Sequence, residues 1–369
     1  MQNKFQPVVE VRTTGAQVIG IKVCVPKKIK ENDLTFKTFS LEICSENTQG
    51  KWKKIPICGI EILSDKEIYL ILPKEETYQA TKLLKFIIGK FTQLVCHMEY
   101  KLVQNVDIYF SDGTIGKAGE YWMCLPAKQN GIEEFSQEQV GEFYTSFFEP
   151  KLIADKHPLI LCLHGAGEGG SNASNLLADR EAVAFVETNV QKIFGGTYVV
   201  APQSPDYWLR EFEAEGVKMY GAKDYTDELL ALIEYYLNKY PDIDRQRIYI
   251  SGASMGGWQG LQLLGRSSRF AGAILSCPAN IPDDSTLSNV DVPVWLVYCT
   301  ADDTVNPENT RYIADYLQRN NEVNITSYNE VLVQGKKINQ HCAFLYMYDD
   351  MPEKNGKSIF RWLSEKKRG

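Results

Sequence analysis

The chain has 369 residues, 44% of them apolar and 24% charged, and a formal net charge of −7. That length suits two domains rather than one. The mild acidity, with no long run of one sign, excludes a nucleic-acid partner, because phosphate binding needs a basic stripe.

No window approaches 18 apolar residues, so no membrane partner is expected. Residues 1–7 lack the apolar stretch of a secretory leader, and the expectation is a cytoplasmic enzyme unless a leader has been removed. The nine cysteines are scattered, odd in number and without a Cys-x-x-Cys pair. Buried free thiols in a reducing compartment fit that spacing better than a disulfide framework or a zinc knuckle.

Along residues 1–110, strand-like runs (8–12, 18–25, 60–63, 67–72, 85–100) alternate with turns and contain few convincing helices. The pattern predicts an antiparallel β-sandwich without a catalytic cluster, in which His97 is a packed or edge residue. Near Phe110-Ser-Asp-Gly113 strands begin to alternate with helices, the mark of a mostly parallel sheet covered on both faces. Its expected strands are 121–125, 159–163, 198–201, 248–251, 273–277, 294–299 and 325–333, several of them continuously apolar. Between them, 224–240 places Leu229, Ile233, Tyr236 and Tyr240 on one helical face. Asn306-Pro307-Glu308 is a good helix start.

The run 158–163 leads straight into His164-Gly-Ala-Gly-Glu-Gly-Gly170, which formally satisfies G-x-G-x-x-G. A dinucleotide site would need an immediate helix and then a strand ending in an acid. Here a polar stretch comes first, and the next strand ends Ala201-Pro202-Gln203. The alternative is an oxyanion loop after an early strand, with the N–H groups of Ala166 and Met255 as donors. His164 then shapes the turn, and Glu168 braces the loop.

Ile248 to Ser251 reads as a buried strand, Gly252-Ala-Ser-Met-Gly256 matches G-x-S-x-G, and a helix-like stretch follows. A strand that turns sharply into a helix at such a serine is a nucleophile elbow. Side chains at Gly252 or Gly256 would collide with the neighbouring strand and helix. A nucleophilic Ser254 needs a base and an acid that orients it, in the chain order serine, acid, histidine. Of the four histidines only His341 follows Ser254. The acid belongs in the loop after 293–299, where Asp302 precedes Val305 by three residues and Asp303 is the fallback. The aromatic segment 203–208, with Tyr207 and Trp208, is the expected substrate rim or, equally, a packed loop.

The motifs at 161–168 and 242–257 and the Asp302 and His341 loops resemble bacterial esterases of the feruloyl-esterase and polyhydroxybutyrate-depolymerase type, sometimes described as predicted peptidases. The resemblance covers residues from about 120 to 369. Some members carry an N-terminal immunoglobulin-like domain, to which residues 1–110 are similar. It implies an α/β-hydrolase domain over 111–369 behind an immunoglobulin-like sandwich over 1–110. The sandwich would help to build a homo-oligomer and edge the active site. The implied substrate is a small-molecule or oligosaccharide ester, with no metal or organic cofactor. A serine peptidase and a non-catalytic binding protein on the same scaffold are the rival readings. Two departures bear on substrate: Cys-Ala-Phe-Leu-Tyr follows His341 where a tryptophan is commoner, and the family's frequent secretion signal is missing.

Overall fold

The computed structural model describes residues 3–30, 34–76, 78–87, 90–120, 122–214 and 216–369. Two compact units are present: Met1–Lys85 with Leu94–Glu133, and Phe86–Gln93 with Glu134–Gly369.

The first unit is strand-rich. Lys4–Arg12 pairs antiparallel with Gly15–Cys24, and the sheet continues through Glu67–Ile71 to Gly59–Ser64. A second sheet holds Phe39–Cys44 between Lys53–Ile55 and Glu99–Gln104. Phe39, Leu41 and Ile43 are buried while the residues between them are partly exposed, the alternation of a sheet with one covered face. The first strand of the parallel sheet was expected at 121–125, and the described part of that stretch lies elsewhere. Met123–Cys124 pairs with Lys4 and Phe5 in this first unit, and Tyr121 lies outside the described residues. His97 is an exposed residue, 3.7 Å from Glu99.

The second unit is built on eight strands: Ser136–Val140 (β1), Phe143–Phe148 (β2), His157–Leu163 (β3), Tyr198–Gln203 (β4), Ile243–Ala253 (β5), Gly272–Ser276 (β6), Val294–Cys299 (β7) and Val323–Tyr328 (β8). They lie in the order β1-β2-β4-β3-β5-β6-β7-β8. β2 runs antiparallel to β1 and β4, and every other pairing is parallel. β3, β4, β6 and β7 are buried at every residue, as helices on both faces require.

Three longer helices cover the sheet: Thr226–Lys239 (α1), Met255–Arg266 (α2) and Pro307–Leu317 (α3). α1 buries Leu229, Leu232, Ile233, Tyr236 and Leu237, the stripe expected from its spacing, with Tyr240 as its C-cap. Phe147 of β2 stacks on Tyr198, Tyr236 and Tyr240, which ties this helix to the antiparallel edge. α3 starts as read: the Asn306 side chain accepts from Glu308 N–H and Pro307 takes the first position.

The expected strand over 325–333 ends at Tyr328. Val331 N–H instead donates to Gln340 Oε1 (2.9 Å), and Leu332–Val333 forms a separate hairpin with Lys336–Lys337. All nine cysteines are free, but only Cys96, Cys162, Cys277 and Cys299 are buried as expected; Cys24, Cys44 and Cys342 are half-buried, and Cys58 and Cys124 are exposed. Among the described residues no helix is long and apolar enough to cross a membrane.

Candidate active site

β5 ends in an unbroken buried run and reverses at Ser254, whose φ of 55° and ψ of −115° lie outside the ordinary regions for a side-chain-bearing residue. Such a conformation costs about 1–3 kcal/mol and persists only where its surroundings fix it. Here they do: Ser254 N–H donates to Ser276 O (2.9 Å), and Ser254 O accepts from Ala279 N–H (2.9 Å) and Trp258 N–H (3.1 Å). The flanking glycines are demanded by contact. A Cβ on Gly252 would stand 2.7 Å from Gly256 O, and one on Gly256 only 1.6 Å from Leu163 O.

Of the two acids the sequence offered, Asp302 is buried and Asp303 exposed. Asp302 Oδ1 accepts from the N–H groups of Thr304 and Val305, both at 2.9 Å, so the carboxylate is fixed. Its Oδ2 accepts from His341 Nδ1 at 2.8 Å. The Asp302 side chain is 1% exposed and that of His341 12%, which leaves part of the ring accessible.

Gln340 anchors the histidine loop through Val331 N–H (2.9 Å) and Ile338 O (2.6 Å), and Asn339 Oδ1 accepts from His341 N–H (2.8 Å). Cys277, just past β6 at a φ of +37°, donates its thiol to His341 O (3.4 Å). The segment 276–279 therefore touches the elbow through Ser276 and Ala279 and the histidine loop through Cys277.

Burial alone would lower the His341 pKa, but the Cys277 sulfur and the Asp302 carboxylate hold it well above the ordinary histidine value.

The loop after β3 is held from several sides. His164 is fully buried, donates from Nδ1 to Gly165 O (2.8 Å) and accepts at Nε2 from Ser204 N–H (3.0 Å). Burial brings its pKa down to about 4, so it stays neutral and shapes the turn. The N–H groups of Ala166 and Met255 meet no protein acceptor among the described residues. Glu168 braces the loop through its backbone, since its carbonyl accepts from Gln203 Nε2 (2.7 Å) while Oε2 has no partner among the described residues.

Two contributors were missed in the sequence. Gln203 also accepts at Oε1 from Asn172 and Ala173 N–H (2.9 and 3.0 Å), so one side chain fixes both ends of the loop. Gln93 N–H donates to Gly167 O (2.8 Å), and Phe91 is buried in the same core. A buried-type glutamine ending a strand is a signal for the first; nothing in the sequence signals the second.

Trp208 packs the loop rather than lying exposed on a rim. It is fully buried, its Nε1 donates to His164 O (3.0 Å), and its ring packs against His164, Phe143 and Tyr225. The indole fills the space behind the loop because that is where its N–H finds an acceptor. Tyr207 stays partly exposed.

Glu168, Asp179 and Glu181 are buried as a group with Tyr348, and Glu181 N–H donates to Asp179 Oδ1 (2.7 Å). Burial raises all three carboxyls, Asp179 to about 7. A raised carboxyl binds a proton in the folded state that the unfolded chain has already released, so the contribution of Asp179 to stability falls as pH rises from about 4 to about 7 and then levels. Asp179→Asn keeps the acceptor and removes the titration. Its stability relative to wild type is expected to improve by roughly 2–4 kcal/mol between pH 4 and pH 8. Denaturant unfolding at both values reads this, and an unchanged difference contradicts it.

The sheet order, the strained serine between β5 and α2 and the loops at the C-terminal strand ends define an α/β-hydrolase. The chain belongs to the phospholipase/carboxylesterase family, whose pattern it matches over residues 151–337. Among curated proteins no sequence match is found.

Of solved structures, a thermostable esterase is similar over 99% of this chain and 100% of its own, with a TM-score of 0.82 and 23% identity. Est1E from Butyrivibrio proteoclasticus covers 63% of this chain with 96% of its own at 16% identity and a TM-score of 0.40. The acylaminoacyl peptidase of Pyrococcus horikoshii covers 94% with 72% of its own at 13% identity and a TM-score of 0.44.

Proposed function

We propose that the protein is a serine carboxylic-ester hydrolase in which Ser254 is the nucleophile, His341 the base and Asp302 the orienting acid. The observation that carries this is the 2.8 Å contact between Asp302 Oδ2 and His341 Nδ1, beside the segment that also holds the Ser254 elbow. Ser254 Oγ attacks the ester carbonyl as His341 Nε2 takes its proton, and Asp302 holds the ring in the tautomer with hydrogen on Nδ1. The amides of Ala166 and Met255 face the developing oxyanion; one such donor is worth about 3–4 kcal/mol in the transition state. His341 then protonates the leaving alcohol, and water, deprotonated by the same nitrogen, releases the acid.

Carbohydrate-linked feruloyl or acetyl esters, or short-chain esters, are the proposed substrates, with Tyr207 on the rim of the cleft. The strand-rich first unit is read as an immunoglobulin-like module that joins subunits. A panel of feruloyl, acetyl-xylan and short p-nitrophenyl esters beside peptide amides tests the reading. Turnover of at least one ester class far above every amide is expected. Faster cleavage of amides would replace the esterase with a peptidase.

A further inference from the structure

The thiol beside the base has no part in the mechanism above, yet its position is conspicuous. Cys277, Asp302 and His341 each bring one ligand atom into a group whose members all lie within 4.8 Å of one another. Cys277 is 1% exposed and is held at a φ of +37°, a conformation that side-chain-bearing residues rarely adopt. Its neighbours fix that turn: Cys277 N–H donates to Val297 O (2.9 Å), and Ser276 Oγ donates to Val297 O (3.0 Å). Asp302 is locked by two amides at its other oxygen, which leaves Oδ2 aimed at the ring. One sulfur, one imidazole nitrogen and one carboxylate oxygen form a donor set that suits Zn²⁺, with water in the fourth position.

We propose that Cys277, Asp302 and His341 form an inhibitory zinc site built into the catalytic base. Bonds form from the metal to Cys277 Sγ, His341 Nδ1 and Asp302 Oδ2. The thiol proton leaves to solvent, and the ring proton passes from Nδ1 to Nε2, so the imidazole stays neutral. Nε2 then carries hydrogen and cannot accept from Ser254. Donor atoms at a tetrahedral metal with bonds of about 2.0–2.3 Å stand roughly 3.3–3.7 Å apart, so Nδ1 and Oδ2, now 2.8 Å apart, must open, and the farthest of the three atoms, all within 4.8 Å of one another, must close on the ion. The partly exposed ring gives the ion its way in. The inhibition rests on His341 being the base; the metal binding does not.

The test uses the full-length chain with Zn²⁺, read by competition against a chromophoric chelator, and with Co²⁺, read by the near-ultraviolet thiolate-to-cobalt band. Wild type is expected to bind one ion, show the band and lose ester hydrolysis, with recovery on addition of EDTA. Cys277→Ala is expected to bind at least about tenfold more weakly, since disturbing even an outer-shell partner of a metal ligand costs about 10–100-fold. Relative to its own zinc-free rate, it should keep hydrolysing ester at zinc concentrations that silence wild type. Cys277→Ser, checked for an unchanged Tm, should lose the band even if it retains some metal.

An unchanged Kd in Cys277→Ala overturns the site, as does loss of the band in Cys58→Ala instead. If wild type turns over no ester at all, the Kd and the band still decide the site, so failure of the catalytic reading is told apart from failure of this one.

Discussion

Ser254→Ala is expected to lower kcat for a short p-nitrophenyl ester by about 10⁴–10⁶-fold while leaving the fold intact, because removing the nucleophile of a triad costs as much as removing all three members. The fold survives because, among the described residues, the hydroxyl makes no hydrogen bond that holds the elbow. The elbow is held by backbone bonds from Ser254 N–H to Ser276 O and from Ala279 N–H to Ser254 O, which alanine keeps. Ser254→Gly sharpens the case. Glycine accepts a φ of 55° without cost, so this variant should be more stable than wild type by roughly 1 kcal/mol and equally inactive. Steady-state kinetics with thermal unfolding reads both, and a variant within tenfold of wild-type activity would sink the assignment.

Gly256→Ala carries the largest expected effect on stability. Its Cβ would lie 1.6 Å from Leu163 O and 2.9 Å from His164 O, so the clash is with the backbone of buried β3 and its following turn. No side chain can swing aside, and either the start of α2 or the end of β3 must move. The expected loss exceeds about 4 kcal/mol, which would leave little folded protein at ordinary temperatures. The yield of soluble chain and its Tm measure it. A Tm within a few degrees of wild type would mean that the elbow is looser than its contacts imply.

Much of the second unit was legible because its strands are long apolar runs punctuated by glycine-rich turns. β3, β5, β6 and β7 announce themselves in this way. β1 and β2 did not: Ser136–Val140 is polar, and its identity as an edge strand depends on pairing with Phe143–Phe148. Met123–Cys124 misled for a related reason, since two residues pair wherever a free edge lies, and that edge was Lys4–Arg12.

The serine, acid and histidine proposed for the site were read from their order, because the fold fixes which strand end each follows, and Asp302 and His341 do meet. Their surroundings were not. Cys277 beside His341, Gln203 across the loop after β3 and Gln93 on Gly167 come together through contacts between segments far apart in the chain. Trp208 looked like a rim residue because aromatics in a loop serve equally well for packing and for ligands. Only the acceptor waiting at His164 O separates the two.

The most direct measurement is the site of covalent labelling by a fluorophosphonate. One phosphonyl group per chain is expected, carried on the peptide containing Ser254, absent in Ser254→Ala and formed far more slowly in Asp302→Asn. A label on any other residue, or none on a chain that hydrolyses esters, would contradict it.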